Sequence, residues 1–274
     1  MTILSDADAR TFAHALHAAR RTRQPIAPFT DAQPELGMPD GYAIQQHLVQ
    51  MLLDEGESII GYKLGLTSTP MQRLLGVDSP DFGPVFASTV YRDGAVLPVD
   101  RFIAPRMEGE IAVILSEDLS GPDCTPAQAL AATKGLAAAL EIVDSRIADW
   151  KIKLADTVAD LASNGAIALS SLVVPVDGFD PRLLGMVFSK NGEVVATGAG
   201  AAALGDPIAA VAWLANTLAP MGVTLPAGSV IMTGALHAMV PVAPGDVFRA
   251  DFDRLGPITI RMANVESPRE SAEE

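Results

Sequence analysis

Arg106-Met107-Glu108-Gly109-Glu110-Ile111-Ala112-Val113-Ile114-Leu115 is the stretch on which the reading of this chain turns. Its second half is apolar and rich in β-branched residues, so it reads as a strand entering a core. Side chains two apart on a strand share a face. Glu108 and Glu110 therefore project side by side at the mouth of an apolar element. Carboxylates so placed repel each other and resist desolvation unless a cation neutralises them. Mg²⁺ and Mn²⁺, hard and oxygen-preferring, suit such a pair. The plain alternative is an exposed strand face with two solvated glutamates.

A third acid shifts the balance. Glu141 stands in Ala137-Ala138-Ala139-Leu140-Glu141-Ile142-Val143-Asp144, a second apolar run. Thr125-Pro126 offers a helix N-cap and a proline at the first helical position, and the Ala-rich run beyond it reads as that helix. The expected order is strand, helix, strand, with carboxylates on both strands. Three carboxylates with room left for water or substrate make a usual Mg²⁺ or Mn²⁺ site.

The rest of the chain frames that centre. Its 274 residues are 49% hydrophobic, enough for a sizeable core. The formal net charge of −14 argues against nucleic acid and against an anionic membrane surface, both of which need clustered Lys and Arg. An acidic protein acting on an acidic substrate needs a local positive centre, which a divalent cation and a few placed basic residues supply. Cys124, the single cysteine, excludes an intrachain disulfide. With no basic-then-apolar leader and no apolar run of ~18 residues, a cytoplasmic protein is expected.

Residues 6 to about 23 read as a helix capped by Ser5 or Asp6, with Phe12, Leu16 and Ala19 on one face and Arg20, Arg21 and Arg23 at a basic end. A second amphipathic helix runs from about Gly41 to Leu53. His14, His17 and His47 read as surface or packing histidines on these helices. From Ile59 the pattern changes to short β-like runs: 59–65, 85–86, 95–97, 107–115, 138–144, 166–169, 185–189, 193–197, 229–232, 246–251 and 257–261. Asn191-Gly192 is a hairpin-turn signal, and Asp206-Pro207 caps a helix to about Leu218. Gly198-Ala199-Gly200 looks like the start of a dinucleotide-binding turn, but Ala203 occupies the third glycine position. The β runs are not regularly interleaved with helices. One α+β domain follows, with a mixed β-sheet core and peripheral helices. Residues 1–58 form its helical N-terminal part, 59–263 a β-rich catalytic core and 264–274 a tail.

The acids belong to an ordered set: Gly61-Tyr62-Lys63-Leu64-Gly65, Leu75-Gly76-Val77-Asp78-Ser79-Pro80-Asp81-Phe82-Gly83, Pro105 to Glu110, Leu140 to Arg146, Ala155 to Asp160, Asn191-Gly192-Glu193, Ala212 to Asn216 and Pro244-Gly245-Asp246. In this order and spacing the chain, from about Asp40 to Met262, closely resembles the 2-keto-4-pentenoate hydratase / 4-oxalocrotonate decarboxylase family of the fumarylacetoacetate hydrolase superfamily. The resemblance implies the fumarylacetoacetate-hydrolase-like fold and a Mg²⁺ or Mn²⁺ ion on Glu108, Glu110 and Glu141. It implies a 2-hydroxy-dienoate or 2-oxo-acid substrate from the meta-cleavage degradation of aromatic or steroid rings, and a homo-oligomer. It also implies an active-site Lys63, Asp78 and Asp81 on a nearby loop, and substrate contacts from Leu64, Ser163 and His237. His237 replaces a Thr or Gly frequent in the family, in a loop expected beside the substrate tail.

Hydration of a dienoate needs an acid–base group near the carbon chain. Lys63 fills that role if burial lowers its pKa; otherwise it is a fixed cation for a carboxylate. Asp78 or Asp81 would orient the water. Decarboxylation of 2-oxo-3-hexenedioate is the alternative, with a second carboxylate to bind. Acylpyruvate C–C hydrolysis is a third reading, for which mid-helix His47 is a poor base. Lys63→Ala is expected to abolish turnover at an almost unchanged melting temperature.

Overall fold

The computed structural model describes residues 3–68, 72, 77 and 79–263; Asp78 and the expected tail lie outside them. Helix α1 (Asp6–Thr22) begins where expected, with the Ser5 hydroxyl accepting the Asp8 amide at 3.2 Å. Its buried Ala9, Ala13 and Leu16 recur at helical spacing and meet Ile44, Leu48 and Leu52 of α3 (Met38–Asp54); the short α2 (Phe29–Ala32) lies between the two in sequence. These helices close over α5 (Leu154–Ala159) and Phe86 as a separate apolar cluster.

Thirteen strands form two sheets among the described residues. The larger contains β1 (Ile59–Gly65), β2 (Asp81–Phe86), β3 (Val90–Arg92), β5 (Arg106–Leu115), β6 (Thr133–Val143), β7 (Asn164–Leu169), β10 (Val230–Ala235) and β11 (Val240–Pro241). Its order is β2-β1-β10-β5-β6-β7-β3, with β11 on β5. One short turn, Ala87–Thr89, separates β2 from β3 in sequence, although they are the outermost strands of that path. The sheet therefore curls back on itself, and Asn164 Nδ2 donates to the Pro84 carbonyl at 2.8 Å across the closure. The second sheet has the order β4-β13-β12-β8-β9: β4 (Val96–Pro98), β13 (Gly256–Ala263), β12 (Val247–Phe252), β8 (Gly185–Lys190) and β9 (Glu193–Ala199).

The register sorts the side chains. Glu108 pairs with Glu141, Glu110 with Ala139, Ala112 with Ala137 and Met232, Met232 with Lys63, and Gly65 with Asp81. One face thus carries Lys63, Asp81 and all three glutamates toward one end. A small apolar cluster of Ala112, Ala137, Ala139, Ile167 and Met232 lies behind them. The opposite face, with Met107, Ile111, Val113 and Leu64, packs against Phe188, Phe248 and Ile258 of the second sheet and against α6 (Pro207–Leu218).

The expected order of strand, helix, strand is found: α4 (Pro126–Ala131) ends after six residues, and Ala137 to Ala139 lie in β6, close to the strand expected over 138–144. These alanines face both cores, and a strand buried on both faces reads as a continuous apolar run. Asp81 is on no loop but opens β2, buried. Short α5, β3 and β11 carry too little pattern to be read. Helix α6 with its flanking turns is long and apolar enough to cross a membrane, but half of that span is buried within this core, which accounts for its composition.

Candidate metal centre and active site

Glu108, Glu110 and Glu141 come together from β5 and β6, each with a carboxylate oxygen within 4.8 Å of the others'. Glu110 and Glu141 are fully buried. Glu110 Oε2 accepts the Gly234 amide at 3.0 Å. Glu110 Oε1 and both Glu141 oxygens have no hydrogen-bond partner. Lys63 Nζ stands 3.2 Å from Glu141 Oε1, close enough for an ion pair but outside hydrogen-bond geometry. Its hydrogen bond goes to the Ala162 carbonyl at 2.9 Å. Buried polar atoms are almost always paired. Three orphaned, converging carboxylate oxygens are therefore the signature of a cation site, and the all-oxygen donor set suits a hard divalent ion.

The electrostatics agree. Burial first, and Glu141 second, push the Glu108 carboxyl up to about 8. Burial and the other glutamates hold Glu110 well above the carboxylate range, and burial raises Glu141 although Lys63 pulls it back. Burial works to lower Lys63, but the surrounding carboxylates, Glu141 foremost, outweigh it, and its pKa is raised. Without a metal, Lys63 is thus a fixed cation, and the condition for a free-base lysine is not met.

Ala162 was not legible as a site residue. Leu161, Ala162 and Ser163 all have left-handed φ, at 57°, 53° and 56°. Left-handed backbone is costly for residues with a Cβ, and three in succession persist only where the surroundings enforce them. Gly83, paired with Lys63 in β2, makes room: a Cβ there would collide with the Leu161 carbonyl. Arg146 and Asp160 form a buried ion pair just before the turn, so Arg146 is structural. Ser163 sits in the turn, its hydroxyl 3.1 Å from that of Thr157.

Asp81 shares the Lys63 face, with Oδ1 buried and unpartnered; burial raises its pKa while Lys63 opposes the shift. Leu64 points the other way, into the main core, so its side chain does not reach this face. His237 also departs from expectation. Its ring packs 4.3 Å from Phe188 and faces the side of Gly109 away from the carboxylates. Nε2 accepts the Gly109 amide at 2.9 Å, and Nδ1 lies 2.7 Å from the Ala238 carbonyl. Gly109 separates two of the glutamates, so His237 braces their strand and does not border a substrate tail on their face.

Fold and site together define the class. The family model described as fumarylacetoacetate (FAA) hydrolase C-terminal matches residues 58–263. The chain belongs to the fumarylacetoacetate hydrolase family. Within it, the chain is 44% identical over 246 residues to the 2-keto-4-pentenoate hydratase of Paraburkholderia xenovorans (strain LB400), covering 90% of this chain and 91% of that protein. It is 44% identical over 248 residues to the 2-hydroxyhexa-2,4-dienoate hydratase of Comamonas testosteroni, covering 90% and 94%. Among solved structures, 4-oxalocrotonate decarboxylase from Pseudomonas putida G7, complexed with magnesium and adipate, superposes with a TM-score of 0.92 at 35% identity, over 96% of this chain and all of that one.

Proposed function

We propose that this protein is a Mg²⁺- or Mn²⁺-dependent hydratase that converts a 2-hydroxy-2,4-dienoate into a 4-hydroxy-2-oxo acid. The observation that carries the reading is the set of buried, unpartnered oxygens on Glu110 and Glu141 beside Glu108 and Lys63. Glu108, Glu110 and Glu141 would hold the ion. When bound, it supplies Lewis acidity toward the substrate's carboxylate and 2-oxygen.

The chain's own groups account for the remaining chemistry. The dienol hydroxyl loses its proton as C5 gains one, giving a 2-oxo-3-enoate; water then adds its oxygen at C4 and a proton at C3. Lys63, beside Glu141, would donate a proton to the carbon chain. The Ala162 carbonyl fixes the direction of Nζ. Asp81, with one free oxygen on the same face, orients the water. Asp78 shares this role by family resemblance. The apolar cluster behind the acids keeps bulk water from that side. The similar hydratases support an enzyme of aromatic catabolism; its cytoplasmic location and homo-oligomeric state are carried over from the family resemblance alone.

Decarboxylation is kept as the second reading because of one contact. Arg106 is two residues before Glu108, on its face, with its guanidinium 4.5 Å from the Trp150 ring. A cation there suits a substrate with a distal carboxylate. The deciding experiment incubates the Mg²⁺-loaded protein with 2-hydroxypenta-2,4-dienoate and with 2-oxo-3-hexenedioate, following dienol absorbance and CO₂. Loss of dienol absorbance without CO₂ is expected from the first. CO₂ release from the second with an inert first substrate would replace the hydratase reading by the decarboxylase.

A further inference from the structure

A cavity of about 280 Å³ lies between the C-terminal end of α1, β3 and the segment following β6. It shares no residue with the glutamate site. Four arginines line it, Arg20, Arg23, Arg101 and Arg146, against two acids, Glu57 and Asp144. Both acids are already engaged. The Ser88 hydroxyl donates to Glu57, and Asp144 accepts the Ile103 and Ala104 amides at 3.0 and 2.7 Å. Arg146 is saturated by Asp160 and the Asn164 carbonyl. Arg101 only lies over the Tyr91 ring, 5.8 Å from its centroid. Arg20, half-buried, has no hydrogen bond or ion pair among the described residues. Burial first and Arg146 second push its guanidinium down to about 10, against the opposing pull of Asp160, Glu57 and Asp144.

A net charge of −14 makes this concentration notable: no general excess of basic residues explains it. The dipole of α1 accounts for basic residues near its last turn but not for one turned inward without an acceptor. Arg23 and Arg101 are exposed and Arg20 half-buried around this one cavity, and like charges gathered there repel each other unless an anion lies among them. Their planar forks match oxyanions that offer two or more oxygens. We propose that this cavity is a second ligand site, distinct from the metal centre, which binds a small oxyanion of the carboxylate or phosphate type through Arg20, Arg23 and Arg101. Arg146 connects it to the turn beneath Lys63, because its partner Asp160 immediately precedes Leu161.

The test is calorimetric titration of the Mg²⁺-loaded protein with inorganic phosphate and, separately, succinate, against chloride at matched ionic strength. Saturable binding above the chloride control is expected, weakened roughly tenfold or more in Arg20→Gln and in Arg101→Gln, the loss of one charge-assisted hydrogen bond. Mg²⁺ affinity should stay the same in both variants. Binding of phosphate alone, succinate alone or both supports the site and assigns its chemistry. No saturable binding, or equal binding in wild type and variants, overturns it. It is equally overturned if neither anion binds and Arg20→Gln dissociates the native oligomer, for then a second copy fills the cavity.

Discussion

Glu141→Gln tests the metal centre most sharply, because its cost should be modest without metal and large with it. The substitution keeps shape and removes one buried negative charge. Without metal, burial holds Glu108 and Glu110 largely protonated near neutral pH, so their repulsion of Glu141 is already relieved. What the variant loses is the attraction to Lys63 at 3.2 Å, about 5 kcal/mol at an effective dielectric of ~20 and an upper bound, because a neighbouring glutamate can ionise in its place. The variant should therefore melt somewhat below wild type in chelator. With saturating Mg²⁺ the gap should widen. The wild type gains the free energy of ligation, whereas the variant lacks a ligand and should bind the ion at least roughly 100-fold more weakly, the upper end for loss of a mere outer-shell partner. The assay is paired thermal melts in chelator and in Mg²⁺. A variant that keeps the full Mg²⁺-induced shift would refute the ligand assignment.

Lys63→Met should abolish turnover and also lower the melting temperature in chelator, where it removes the cation paired with Glu141; with Mg²⁺ bound the loss should shrink, and equal losses in both states would contradict the account. The earlier expectation of an unchanged melting temperature thus holds only for the metal-loaded protein. Gly83→Ala should cut kcat at least roughly tenfold while Mg²⁺ affinity stays within about twofold, since its Cβ displaces the Leu161–Ser163 turn that aims Lys63 and not the glutamates. His237→Phe leaves the Gly109 amide without its acceptor, at a cost of about 1 kcal/mol in stability, and should weaken Mg²⁺ more than it alters the ranking of short against long substrate tails; a changed ranking at constant Mg²⁺ affinity would return His237 to the substrate. Because burial pushes Glu108 up to about 8 and also raises Glu110 without metal, Mg²⁺ must displace protons from its ligands, so affinity should rise with pH; an affinity flat from about pH 6 to about pH 9 would be the contrary result.

The centre was legible because its signal is local and of period two. Glu108 and Glu110 are neighbours on one strand face whatever the topology, and Glu141 interrupts an apolar run conspicuously. What stayed hidden is carried by backbone or by distant packing. The Ala162 carbonyl holds Lys63, yet alanine gives no hint of three left-handed residues in a row. The Gly234 amide that meets Glu110 belongs to a strand 124 positions away. His237 and Leu64 were placed at the substrate by the family resemblance; strand alternation and the depth of the two-sided core turn their side chains away from the face that carries the glutamates.

The position of β10 between β1 and β5 also fixes the order in which the protein can be built. Lys63 and the three glutamates have all been synthesised by residue 141, yet the strand that brings β1 against β5 begins only at Val230. A nascent chain carrying every reactive side chain therefore has no reaction centre. Until the late strand slots in, two long edges stand open, one of them dense in Ile, Val and Leu, and such edges invite pairing with other chains. Closure of so non-local a contact is slow. Both activity and freedom from aggregation are thus conferred in a single late event, the insertion of six residues near the C-terminus of the chain.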